Sequence, residues 1–263
     1  VWTMMNQYER TQHIKDASSA PFEDGKMNIP ENSNGCPDIL DEARWEMEML
    51  LKMQIPEGKP MAGMVFHKQH DVGWTAMAIK PDDDIQMRVF FPPSTAATLN
   101  VAATAAQSAR IWQKYDKAFS EKCLKAAEAA WKAALRYPGM YAPASDNKGG
   151  GPYDDNYCED EFYWAAAELY ITTGDDRYLD YLKGSRFFLQ MPAQLEEGGD
   201  KELAGAFTWQ STSGLGTLSL ALVPSKLPAG QIETARRNIA KAADAWIEIQ
   251  NRQGYLVPVT KYP

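Results

Sequence analysis

The chain has 263 residues, 44% apolar and 24% charged, and its 27 basic against 35 acidic side chains give a net charge of −8. That balance excludes a disordered polymer and argues against a nucleic-acid binder, which needs a basic face to neutralise phosphates. No stretch approaches the roughly 18 uninterrupted apolar residues of a membrane helix, and the length suits one large domain over residues 1–263.

In chain order, helical periodicity dominates. A first helix covers 1–13, with no initiator Met, basic segment or cleavage site before it. In 36–54, Leu40, Ala43, Met47, Leu50 and Leu51 form one stripe. Pro37 stands at its first-turn position, and Asp38 and Asp41 lie near its positive end. Helices follow at 94–115 and 118–136, the second striped by Phe119, Cys123, Ala126, Ala127, Ala130 and Ala134. Further helices cover 159–173, 176–190, 208–222 and 230–251. Strand signals are short and local, near Val89–Phe91 and Leu256–Val259. The expected fold class is all-α.

Composition sorts these helices. Those at 94–115, 159–173 and 208–222 are rich in Ala, Gly, Ser and Thr with little charge, as buried helices are. Those at 36–54, 118–136, 176–190 and 230–251 each carry one charged face and belong at the surface. The turns at 114–117 and 173–176 are short, with Gly174 as a helix stop and Asp175 or Asp176 as the next cap. The connections 55–93, 137–158 and 191–207 are long, and each leads into an inner helix. A ring of helical hairpins gathers such loops on one rim, where a site is built. An open solenoid would repeat at a fixed period, whereas inner helices start near 94, 159 and 208. The chain opens inside a helical pattern and ends after an extended stretch, so it reads as the middle of a larger fold.

The loop Gly149 to Glu161 is densest in chemistry, with Asp154, Asp155, Glu159, Asp160 and Glu161 beside three glycines. Clustered carboxylates suit calcium, which takes six to eight hard oxygen ligands. Tyr153 and Tyr157 suit a sugar face instead, and plain capping of the next helix is the simplest alternative. The loop 55–93 holds His67, His70 and Trp74. Histidines three apart resemble a fragment of a zinc site, but no third His or thiol is near. His67 donating to a substrate hydroxyl, with Trp74 as a stacking platform, competes with a purely structural histidine. Trp209 projects from the start of 208–222, capped by Thr208, and Ser94 or Thr95 caps 94–115. Asp41, Glu42 and Arg44 read as local ion pairs. Most of the eight Trp, twelve Tyr and nine Phe read as ordinary core, and any surplus suits a carbohydrate cleft, since sugar rings offer flat C–H faces. Cys36, Cys123 and Cys158 form no metal or disulfide pattern, and Cys123 sits on an apolar helix face. Nucleophile-elbow, phosphate-loop and dinucleotide fingerprints are absent.

The run Asn34-Gly35-Cys36-Pro37-Asp38-Ile39-Leu40-Asp41-Glu42-Ala43-Arg44-Trp45, followed by Leu51-Lys52-Met53-Gln54, closely resembles the signature of glycoside hydrolase family 9. The bacterial cellulosomal cellulases and cellobiohydrolases look most similar. Pro92 to Thr98, Gly149 to Tyr170 and Phe207-Thr208-Trp209 share that resemblance. It implies an (α/α)6 barrel of six hairpins, of which about eight of twelve helices are present. It implies inverting hydrolysis of β-1,4-glucosidic bonds by an Asp base and a Glu acid. The base belongs to an Asp-Ala-Gly-Asp motif placed before Val1 and the acid lies beyond Pro263, so no catalytic residue is assigned and this chain alone is expected to be inactive. His67-Lys68 matches the end of a family His-His-Lys segment, with Phe66 in place of the first His. Family calcium sites draw on Asp160-Glu161 and on an acid where this chain has Gln210, and Asp154 and Asp155 are offered here instead. The expected substrate-binding residues are His67, Trp74, Tyr153 and Trp209. The expected metal ligands are Asp154, Asp155, Asp160 and Glu161, with calcium as a structural cofactor and no organic cofactor. The partner implied is a β-1,4-glucan met outside the cell, with accessory modules elsewhere in the protein. The alternatives are a non-catalytic α-hairpin domain binding glycans or proteins, and an (α/α)6 enzyme for another polysaccharide.

Overall fold

The structure is a computed structural model that describes residues 1–194 and 205–258. Helices α1 (Trp2–His13) and α2 (Asp38–Lys52) come first. The short strands β1 (Val65–Phe66), β2 (Gln69–Asp71), β3 (Arg88–Phe90) and β4 (Pro93–Ser94) follow. Then come α3 (Thr95–Trp112), α4 (Lys117–Arg136), α5 (Glu159–Thr173), α6 (Asp176–Gly184), α7 (Ser213–Leu222) and α8 (Ala229–Asn251). The eight helices found among the described residues form four consecutive hairpins.

The two expected layers are present. α3 packs against α1, α2, α4 and α5, while α5 packs against α3, α4, α6 and α7. α3 and α5 are buried almost all round, because alanines in their middle turns let neighbouring backbones approach closely. On α8 only Ala235 and Ala242 are buried, as befits an outer helix. α1 is a fourth inner helix, packed against α3 and α7, and its Glu9 meets Arg110 of α3 at 2.6 Å. Arg110 also reaches Glu168 of α5 at 2.7 Å. Glu168 accepts from Trp2 Nε1 at 2.8 Å and from Ser219 Oγ of α7 at 2.6 Å. Burial opposes charge on Arg110, but Glu168 and Glu9 outweigh it and raise its pKa. One charge cluster thus sets the mutual position of all four inner helices.

Local chemistry moved some boundaries. The seventh helix starts at Ser213 and not at Thr208. The backbone of Thr208 and Ser211 pairs with itself, and Asp160 captures the amide of Thr212 at 2.6 Å. The sixth stops at Gly184, where Ser185 turns extended. The strand near Val89–Phe91 is β3, whose Val89 pairs with His70 of β2. Leu256, Val257 and Pro258 form no strand, and Val259 lies outside the described residues.

A fourth long connection, residues 14–37, sits at the other end of the helices from the loop-rich rim. Two carboxylates fix it. Asp38 accepts from the amides of Gly25, Lys26 and Met27 at 2.9, 2.7 and 2.5 Å, and Asp24 accepts from those of Ser33, Asn34 and Gly35. Asp41 accepts from Asn34 Nδ2 at 3.1 Å. The ion pairs of Arg44 go to Glu48 and Asp116, each at 3.0 Å, and not to Asp41 or Glu42. The acidic motif around Asn34 to Trp45 therefore anchors a loop.

Candidate functional site

The connections 55–93 and 137–158 meet the described residues 205–212 where α3, α5 and α7 begin. Ser94 Oγ accepts from the amide of Ala97 at 3.1 Å and so caps α3. The same oxygen lies 2.9 Å from His67 Nδ1, and His67 Nε2 lies 3.1 Å from the carbonyl of Pro152. A carbonyl only accepts, so Nε2 carries the proton and Nδ1 accepts from the Ser94 hydroxyl. Burial lowers the His67 pKa and favours this neutral form. Both ring nitrogens are committed to protein groups, and His67 acts as a strut between two loops. His70 Nδ1 is taken by the carbonyl of Asp71 at 2.5 Å, so the two histidines form no metal pair.

Lys68 crosses the same gap. Its Nζ donates to the carbonyls of Asp146 at 2.5 Å and Gly151 at 2.6 Å, and lies 4.4 Å from the centre of the Phe91 ring. Gly149 is required there. Its φ is +68°, and a Cβ would stand 1.8 Å from the carbonyl oxygen of Asp71.

Two of the expected aromatics come together. Tyr153 and Trp209 are 57% and 52% exposed, and their rings meet edge to face at 5.7 Å and 82°. Phe207 adds a half-exposed ring, resting on Trp2 at 6.1 Å. Trp74 is 68% exposed and donates through Nε1 to the carbonyl of Asn147 at 3.1 Å. It is tied to the loop that carries Tyr153 but shares no ring contact with the pair. Tyr157 turns to the protein, donating to Glu159 at 2.7 Å and accepting from Arg186 at 3.1 Å. The rim thus offers exposed flat rings with polar edges, the surface that pyranose rings stack on. Lys68, Gln210 and Phe207 escaped the list of expected site residues. Phe207 is legible as the third aromatic of its segment, whereas the partners of Lys68 and Gln210 are carbonyls distant in sequence.

The acidic start of α5 divides in two. Asp154 is half-exposed, whereas Asp155, Asp160 and Glu161 are buried. Asp155 accepts from the amide of Tyr157 at 2.9 Å, and Asp160 from the amide and hydroxyl of Thr212 at 2.6 and 3.2 Å. The other carboxylate oxygen of each, and both oxygens of Glu161, are buried without a hydrogen-bond partner. Burial raises the Asp155 pKa to about 6. Burial first, then the charges of Asp160 and Asp155, push Glu161 well above the ordinary range. Such oxygens need a cation or protons, and hard carboxylate donors are the chemistry calcium takes. Among the described residues, no three His, Cys, Asp or Glu side chains converge as a ready-made cage.

A sequence model described as glycosyl hydrolase family 9 matches residues 1–261. The chain belongs to that family. It is 55% identical, over 98% of its own length, to a cellulose 1,4-beta-cellobiosidase from Acetivibrio thermocellus, and covers 30% of that relative. It is 42% identical over 97% of its length to endoglucanase C from Cellulomonas fimi, covering 22% of it. The crystal structure of a metagenome-derived family 9 endoglucanase superposes with a TM-score of 0.79 at 33% identity, covering 98% of this chain and 44% of that one. A family 9 protein from Bacteroides ovatus gives 0.78 at 28% identity, with 98% and 45% covered. This family 9 chain therefore spans under a third of the two curated relatives, and its four hairpins are part of an (α/α)6 barrel.

Proposed function

We propose that this chain forms the cleft wall and the aromatic sugar-binding surface of an inverting β-1,4-glucan hydrolase. The exposed Tyr153–Trp209 pair, on the loop rim of a family 9 fold, carries the reading. The names of the relatives, a cellobiosidase and an endoglucanase, support it. An inverting acid and base must flank the bond with room for a water between them. Asp155, Asp160 and Glu161 are buried and are not assigned these roles; the family resemblance supports a catalytic Asp and Glu carried by polypeptide outside residues 1–263. A polymeric glucan is met outside the cell, which supports an extracellular location. The added length of the relatives leaves room for accessory modules. At the acidic start of α5, calcium held by Asp155, Asp160 and Glu161, with Asp154 at the mouth, would neutralise the unpartnered oxygens.

The test is a reducing-sugar assay on amorphous cellulose. Residues 1–263 alone should show no turnover, and the full-length protein should show it. In the full-length protein, Trp209→Ala should weaken cello-oligosaccharide binding by about tenfold, the loss of one good stacking contact. Turnover by the 263-residue chain alone would overturn the assignment of the acid and base. Binding without hydrolysis by the full-length protein would favour a non-catalytic glycan-binding domain.

A further inference from the structure

Three side chains from two other segments grip the backbone on either side of Tyr153. Lys68 Nζ donates to the carbonyl of Gly151 at 2.6 Å, His67 Nε2 to that of Pro152 at 3.1 Å, and Gln210 Nε2 to that of Asp154 at 3.0 Å. Lys68 also holds the loop's entry through the carbonyl of Asp146. Gly149 lets the loop sit so low that any side chain there would strike the carbonyl oxygen of Asp71. Tyr153 itself has φ +48°, a left-handed conformation that a non-glycine residue keeps only when its surroundings impose it. Yet the Tyr153 ring contributes little to the core, being more than half exposed. So much fixation beneath an exposed ring is explained by what the ring must meet.

We infer that Lys68 and Gln210, with His67, form a carbonyl clamp that holds Tyr153 edge to face with Trp209, and that the clamp sets affinity for the glucan chain. The inference rests on the glucan-binding reading above. Gln210 follows Trp209 directly, so its bond to Asp154 ties the backbones of both rings together. A ring fixed in its bound orientation loses less conformational freedom when the sugar arrives. Lys68 and Gln210 are positioning residues and need touch no sugar themselves. The ammonium of Lys68 suits this task because its partners are two carbonyls on one loop, and its position over the Phe91 ring adds a further contact to the cation.

The full-length enzyme tests this with Lys68→Met, Lys68→Arg and Gln210→Glu. Lys68→Met keeps the stem over Phe91 and removes both donors. Gln210→Glu keeps the shape and replaces the donor by an acceptor facing a carbonyl. Three readouts apply: the Kd for cellohexaose by tryptophan fluorescence, KM and kcat on the same sugar, and hydrogen exchange of amides 149–155. Lys68→Met and Gln210→Glu should each raise Kd and KM by about tenfold. They should speed exchange in the loop while kcat stays within about twofold, and Lys68→Arg should retain most of the affinity. Because one loop is released in either case, the double variant should lose far less than the product of the two single effects. Faster exchange with unchanged Kd overturns the clamp, as does unchanged exchange. A fall in kcat at constant KM does so too. A wild-type enzyme that binds no cellohexaose instead removes the glucan reading, and the inference falls with it.

Discussion

Asp155, Asp160 and Glu161 each carry a buried carboxylate oxygen for which water has no replacement in the fold. Their raised pKa values have a direct consequence for stability. A carboxyl whose folded pKa lies above its unfolded value of about 4 takes up a proton on folding between the two, so stability is full below that value and is lost as pH rises. For Asp155 the loss runs from about pH 4 through the folded value of about 6, and Glu161 extends it upward. In a chelator, the melting temperature should therefore fall from about pH 5 to about pH 7, and Asp155→Asn with Glu161→Gln should flatten that fall. Calcium binds only the deprotonated form, so millimolar calcium should raise the melting temperature more at the higher pH. Scanning calorimetry decides it. A calcium effect of equal size in the double variant would rule out these carboxylates as ligands.

At the scale of elements, the inner helices are registered by a buried charge cluster. Arg110 stands between Glu9 and Glu168, and Gln107, Trp2 and Ser219 complete the hydrogen bonds. Removing the cation leaves two carboxylates buried without a counter-charge, which costs about 3–5 kcal/mol. Arg110→Met should lower stability by about that amount in urea unfolding. Adding Glu9→Gln and Glu168→Gln should recover a large part, since the stranded charges are then gone. No recovery would mean that packing of the Arg110 side chain, and not its charge, holds α1 in place. The same logic explains the rim. The helix stripes were legible because apolar spacing is a local pattern, and each of the eight helices among the described residues overlaps a segment that periodicity marked. The starts of α7 and the end of α6 were not, because the side chain of Asp160 and an extended turn at Ser185 decide them.

For the molecule as a whole, two outer helices show apolar side chains to solvent. Trp45 on α2 is 74% exposed, with Met49 one turn on, and Ile247 stands out on α8. Trp45 with Met49 forms one exposed apolar spot and Ile247 a separate one, and each is open to a second copy of the isolated chain. The 263-residue chain by itself should self-associate in a concentration-dependent way, and Trp45→Glu with Ile247→Glu should reduce this in sedimentation equilibrium. A monomeric wild-type chain at high concentration would show these faces to be tolerated singly. The all-α class, the alternation of inner and outer helices and the loop-rich rim followed from sequence alone, because they rest on periodicity, composition and turn residues within a few positions of each other. So did Tyr153 and Trp209 as ring-bearing rim positions. Only the tertiary structure decided that His67 is a strut, that Lys68 and Gln210 hold carbonyls about Tyr153, and that Glu9, Arg110 and Glu168 form one cluster. Each of those facts is a bond between residues dozens of positions apart, and backbone carbonyls, which every residue carries, leave no mark in the sequence.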